Sequence, residues 1–171
     1  MTNAAYISAC GRYRYTLERS TGIAGPQVAW LMLNPSTADA DQDDPTIRKV
    51  VGFSRRAGYG RVVVVNLFAW RATDPKDCRA HLAEAEGHGN FHAIMQAVTD
   101  SEAVVCAWGA TPWAEEQAAQ VVHWLDEHPD KEVRMLCLGR TKSGAPLHPL
   151  MPSYDGHPLV PFSKDAKSEA R

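Results

Sequence analysis

Four short runs of apolar, mostly β-branched residues recur along the chain, at 28–33, 62–67, 103–108 and 133–138. Each is continuous rather than alternating, which is the pattern of a strand covered on both faces in a parallel sheet. Helical spacing fills the intervals. After the first run, Asp44-Pro45-Thr46 supplies a capping carboxylate and a proline at the first helical position; Ile47, Val50, Val51, Ser54 and Ala57 follow at helix spacing, and Gly58 closes the element. A second helix is expected over 91–98, after a short turn through 75–85. A third is expected over 113–127, where Glu115 and Glu116 suit the positive end of the helix dipole. At the front, residues 13–18 alternate in polarity and predict an antiparallel edge strand or hairpin, with 22–27 as the turn into the first run. The order predicts an α/β three-layer sandwich with a four-stranded parallel core sheet, right-handed crossovers and helices on both faces. We expect a single domain over 1–162 and a flexible polar tail over 163–171.

In open parallel sheets the ligand lies beyond the carboxyl ends of the strands, so the loops that follow the four runs are where chemistry is expected. Asn34-Pro35-Ser36 follows the first, and its amide can hold a water or a substrate oxygen, or can simply shape an Asx-turn. Asn66 ends the second run in the same way and offers a donor and an acceptor to one polar edge of a ligand, or again a turn. His148, after the last run, can donate a hydrogen bond to charge developing on a leaving group, against the commoner structural role of a lone histidine. Phe68, Trp70 and Trp108 stand near this edge and can stack on a planar ligand or pack as core. Arg71, Lys76, Arg140 and Lys142 are the cations available there.

Composition narrows the function classes. The chain has 171 residues, 44% of them hydrophobic, and 18 Lys and Arg stand against 20 Asp and Glu. Near-neutral charge argues against a protein that coats nucleic acid by charge alone. No run approaches the roughly 20 apolar residues of a membrane span and no signal-peptide core opens the chain, so a cytoplasmic location is expected. Cys10, Cys78, Cys106 and Cys137 form no CxxC pair and read as small hydrophobes. The acidic stretch 39–44 lacks the glycine and glutamate of a calcium loop, so no metal is expected; Asp44 reads as a helix cap and Asp39 as a candidate to polarise a water. Dinucleotide and triphosphate motifs are absent, and no cofactor is expected.

The segments Leu31-Met32-Leu33-Asn34-Pro35-Ser36-Thr37-Ala38-Asp39, Asp44-Pro45-Thr46-Ile47-Arg48, Val65-Asn66-Leu67-Phe68-Ala69, Ala72-Thr73-Asp74-Pro75 and His148-Pro149-Leu150 together resemble a bacterial and phage family of unknown function, domain of unknown function 1643. More distantly, Asn34-Pro35-Ser36, Asn66, Trp108-Gly109 and His148-Pro149 are similar, in order and strand-end placement, to motifs of the uracil-DNA glycosylase superfamily. That resemblance implies a uracil-DNA glycosylase-like fold and hydrolysis of an N-glycosidic bond in modified DNA, a nucleotide or a nucleoside. In it Asn34, with help from Asp39, would position water, His148 would stabilise the departing base, and Asn66 would read its edge. Pro35, Ser36, Phe68, Trp70, Trp108, Arg71, Arg140 and Lys142 complete the expected binding set. The alternative is a non-catalytic module that binds a nucleotide or nucleic-acid end on the same fold.

Overall fold

The computed structural model describes residues 3–36, 38, 42–128 and 132–163, and in it the strands form one mixed sheet. They are β1 (Ala4–Ile7), β2 (Arg14–Ser20), β3 (Gln27–Met32), β4 (Arg61–Asn66), β5 (Ala103–Cys106), β6 (Met135–Cys137) and β7 (Val160–Pro161). Their spatial order is β1-β2-β4-β3-β5-β6-β7. The pairings β4 with β3, β3 with β5 and β5 with β6 are parallel; β1 with β2, β2 with β4 and β6 with β7 are antiparallel.

The sheet is therefore seven-stranded and mixed: β4, β3, β5 and β6 run parallel to one another, and the β1–β2 hairpin on one side and β7 on the other extend it through antiparallel pairings. The alternating front segment is the inner strand of an antiparallel hairpin with β1 rather than an edge strand itself: it lies between β1 and β4, with Ala4 opposite Glu18 and Leu17 opposite Val64. At the other edge, Leu136 pairs with Pro161. A proline is tolerated there because an edge strand has donors it need not use. The two-residue β7 carries no apolar run of its own, and its partner β6 lies more than twenty residues earlier in the chain.

Strand side chains alternate between faces, and this alternation divides the core in two. On one face Val28, Trp30, Met32, Val62, Val64 and Val105 pack against Ile47, Val50 and Phe53 of helix α1 (Pro45–Arg56). On the other, Ala29, Leu31, Val63, Val65, Val104 and Cys106 meet Ile94 and Val98 of α4 (Asn90–Thr99) and Val121 and Leu125 of α5 (Glu115–Asp126). Both faces are covered, which is why the strand sequences are apolar without a break. Trp30 is fully buried; its Nε1 donates to Ser54 Oγ at 2.9 Å, and that hydroxyl donates to the Val50 carbonyl at 2.8 Å. Truncating such an indole costs about 3–5 kcal/mol.

Helix α1 starts as its sequence predicts: Asp44 accepts from the Ile47 amide at 2.7 Å ahead of Pro45. The 75–85 turn consists of two short helices, α2 (Pro75–Ala80), capped by Asp74, and α3 (Leu82–Ala85). The third expected helix is shorter, since residues Pro112–Ala114 form a 3-10 turn and α5 begins at Glu115.

Strand β3 has β4 on one side and β5 on the other. The chain leaves β3 for α1 on one face and leaves β5 for α5 on the opposite face, so the two loops diverge and open a crevice at the strand ends.

Candidate functional site

That crevice is a cleft of about 410 Å³, within the range of small-molecule sites. Asn34 and Ser36 enter its wall from the loop after β3, Asn66 from the end of β4, Trp108, Gly109 and Thr111 from the loop after β5, and His148 from the loop after β6. Four chain segments far apart in sequence thus meet at one place.

Asn34 has its amide oriented by the backbone. Its Nδ2 donates to the Ala72 carbonyl at 2.9 Å and to the Pro35 carbonyl at 3.1 Å, while the Ala72 amide donates back to the Pro35 carbonyl at 2.8 Å. With Nδ2 committed to the loop, Oδ1 is the atom left to accept. Pro35 is buried behind this turn and does not line the cleft.

Asn66 is 1% exposed, and its Nδ2 has no hydrogen-bond partner, although the residue lines the cleft. A buried amide donor without a partner costs about 1–3 kcal/mol and calls for an explanation. The strand end that carries it is held from behind. Asn90, at the start of α4, donates from Nδ2 to the carbonyls of Asn66 at 2.9 Å and Leu67 at 3.2 Å. Asn90 had no signal in the sequence, because its partner lies across the fold on another element.

His148 rests against Gly109, where an added Cβ would stand 3.4 Å from the His148 Cβ; the glycine itself has φ +77°. The loop that carries the histidine is tied down on both sides. The Gly109 amide donates to the Pro146 carbonyl at 3.1 Å, Lys49 Nζ of α1 donates to the Pro152 carbonyl at 3.0 Å, and the Tyr154 ring packs 4.7 Å from that of Phe53. Desolvation pushes the imidazole below its ordinary pKa, and the negative charge of Asp44 partly opposes this. His148 Nδ1 accepts from the Leu150 amide at 3.4 Å, which assigns the proton of the neutral ring to Nε2 as a donor.

Two charged residues belong to the cleft that sequence reasoning left out of it. Asp44, read as a cap, also lines the cleft and accepts a hydrogen bond from Ser36 Oγ through its Oδ2. Arg14 of β2 is 2% exposed and donates from Nη1 to the Ala38 carbonyl at 2.6 Å, pinning the loop beyond Ser36. An arginine at a buried position of a strand was the available signal.

Other expected members stand elsewhere. Phe68 is core, 5.4 Å from the Trp113 ring, and Trp70 stacks on His81 at 4.2 Å. Arg71 donates from Nη1 to the Gly11 carbonyl at 3.0 Å, outside the cleft wall. Arg140 donates to the carbonyls of Gly144 and Ser163 and lies over the Phe162 ring, lining a neighbouring hollow that shares Trp108, Gly109 and Thr111 with the cleft. Lys142 is exposed on its loop and away from the wall. Trp108 does line the cleft, 8% exposed, with its ring edge-on to Phe162 at 5.6 Å. Asp39 and the tail beyond Ser163 lie outside the described residues. Cys10 departs from the buried-thiol expectation: it is exposed in the β1–β2 turn, whereas Cys78, Cys106 and Cys137 are buried. Among the described residues no helix is long and apolar enough to cross a membrane, and no three His, Cys, Asp or Glu side chains gather as a metal site.

The model of a family described as "Protein of unknown function (DUF1643)" matches residues 14–150, from the buried arginine of β2 to the loop of His148. No curated protein and no solved structure matches the chain.

Proposed function

We propose, for a chain that belongs to this family of unknown function, that the cleft is the site of an N-glycosidase acting on a nucleobase in modified DNA, a nucleotide or a nucleoside. The observation that carries the reading is the meeting of Asn34, Asn66 and His148 on one cleft with the Asn66 donor buried and unpartnered. A flat heterocycle with an acceptor on its edge satisfies that donor, and the indole of Trp108 gives it an apolar wall.

Cleavage of an N-glycosidic bond passes through a sugar with oxocarbenium character, while negative charge builds on the departing base. The Nε2 proton of a neutral His148 meets that charge. Low imidazole basicity favours this role, because a neutral donor remains available at neutral pH. Asn34, its amide fixed by Ala72 and Pro35, presents Oδ1 to an incoming water and orients it without taking its proton. The resemblance to the uracil-DNA glycosylase superfamily and the four strands that lie parallel in the sheet support the same reading.

The test is chromatographic detection of free base after incubation with modified single- and double-stranded DNAs, nucleotides and nucleosides. Base release that is lost in Asn34→Ala and His148→Ala supports the proposal. Absence of release from every substrate overturns it, and ligand binding without release, unaltered by Asn34→Ala, identifies a binding module instead. Affinity that is flat with salt marks a small ligand, whereas a steep decline marks phosphate contacts.

A further inference from the structure

Attack by water on a sugar carbon sheds a proton, and a neutral amide such as Asn34 is too weak a base to receive it. The cleft contains a carboxylate placed to do so. Ser36 Oγ donates to Asp44 Oδ2, and the other carboxylate oxygen, Oδ1, is held by the Ile47 amide at 2.7 Å; both residues line the cleft beside Asn34 and His148. The hydroxyl proton of Ser36 is committed to Asp44, so its lone pairs are what Ser36 can offer the cleft. An independent sign that this cleft takes a ligand is the Asn66 amide, 1% exposed and without a partner for Nδ2.

Capping alone does not account for this arrangement. Asp74-Pro75 starts α2 with the same pair of residues, and Asp74 accepts from the Lys76 amide at 2.9 Å. That aspartate is exposed and outside the cleft wall. Asp44 performs the same capping task while receiving a serine hydroxyl and facing the cavity.

Building on the glycosidase reading, we infer that Ser36 and Asp44 form a proton relay, with Ser36 touching the attacking water and Asp44 as the terminal acceptor. The water oxygen forms its bond to the anomeric carbon as the C–N bond breaks, and the C–N electron pair leaves with the base, which His148 Nε2–H stabilises. The water proton passes to Ser36 Oγ as the serine proton passes to Asp44 Oδ2. Asp44 then returns its proton to solvent or to the departed base, so no oxidant or co-reactant is required.

Asp44→Asn is the direct test, because asparagine caps helices about as well as aspartate and preserves the start of α1. Base release should fall about 10²–10⁴-fold, the range for loss of a positioned proton acceptor. Binding of the free base should stay within about threefold, so that the loss falls on turnover and not on affinity. Asp44 is flanked in sequence by Asp43, paired with Arg19 at 2.6 Å, and has Arg48 one turn on in α1; it shares the cleft wall with Arg14 and the titratable His148. Ser36→Ala keeps the cap entirely and should slow release at least about tenfold, which covers the case of an unfolded Asp44→Asn. Asp74→Asn serves as the control and should leave the rate unchanged. Wild-type release that both Asp44→Asn and Ser36→Ala leave within about threefold overturns the relay and leaves the glycosidase reading standing. A wild-type protein that releases no base overturns both.

Discussion

Asn90 Nδ2 donates to the main-chain carbonyl of Asn66 at 2.9 Å, so the first turn of α4 holds the strand end that carries the buried, unpartnered amide beside the cleft. Asn90 satisfies two buried carbonyls through Nδ2, although its own Oδ1 has no partner, whereas the Asn66 Nδ2 is itself a buried donor left unsatisfied. Asn90→Ala should therefore destabilise the fold by about 1–3 kcal/mol, read as a lowered denaturant midpoint.

Asn66→Ala should behave in the reverse sense. Removal of an unpaired buried donor should leave the melting temperature unchanged or higher, while ligand affinity drops about 5–150-fold for loss of a hydrogen bond of about 1–3 kcal/mol. Calorimetry on the free protein and titration with the ligand measure the two sides separately. A clear fall in melting temperature would show that the amide serves the fold.

His148 should titrate below 6.5, because desolvation disfavours its charged form more than Asp44 restores it. Asp44→Asn removes the raising influence and should lower the midpoint further, as followed by NMR of the imidazole protons. The sign for stability follows from proton counting. Between the folded-state value and 6.5 the unfolded chain binds more protons, so stability present above 6.5 is lost as pH falls through that window. His148→Gln should flatten this part of the stability profile.

Gly109 and Gly144 both have positive φ, +77° and +88°, but only at Gly109 does an added Cβ meet His148, at 3.4 Å. Each alanine variant should cost about 1–2 kcal/mol of backbone strain. Gly109→Ala should also shift the His148 resonances, and Gly144→Ala should not. Equal effects on the imidazole would show that the contact does not position it.

Cys10 should be the fast thiol of the four. The hydrogen bond with Ser8 Oγ at 3.3 Å, followed by the Arg12 amide and guanidinium, brings its pKa down to about 7, while burial pushes Cys78 up to about 12 and Cys106 upward as well. Iodoacetamide at neutral pH should label one site rapidly, and Cys10→Ser should abolish that phase. Several sites labelled at the same rate would contradict the assignment.

What the amino-acid sequence determined by itself was local. Continuous β-branched runs located β3 to β6, since strands covered on both faces leave no polar alternation, and Asp44-Pro45 with Gly58 bracketed α1 because capping is decided within a few residues. Strand ends also nominated Asn34, Asn66 and His148, which do line one cleft. Only the tertiary structure decided what depends on distant pairing: that a two-residue strand closes one edge, that β2 lies inside the sheet, that Asn90 supports Asn66, and that Asp44 faces the same cavity as His148. It also placed Phe68, Trp70 and Arg71 among neighbours outside the cleft wall, although they follow a strand end as closely as the residues that enter it. Proximity along the chain fixes which edge of the sheet a side chain reaches, and the packing of other elements fixes the direction in which it points.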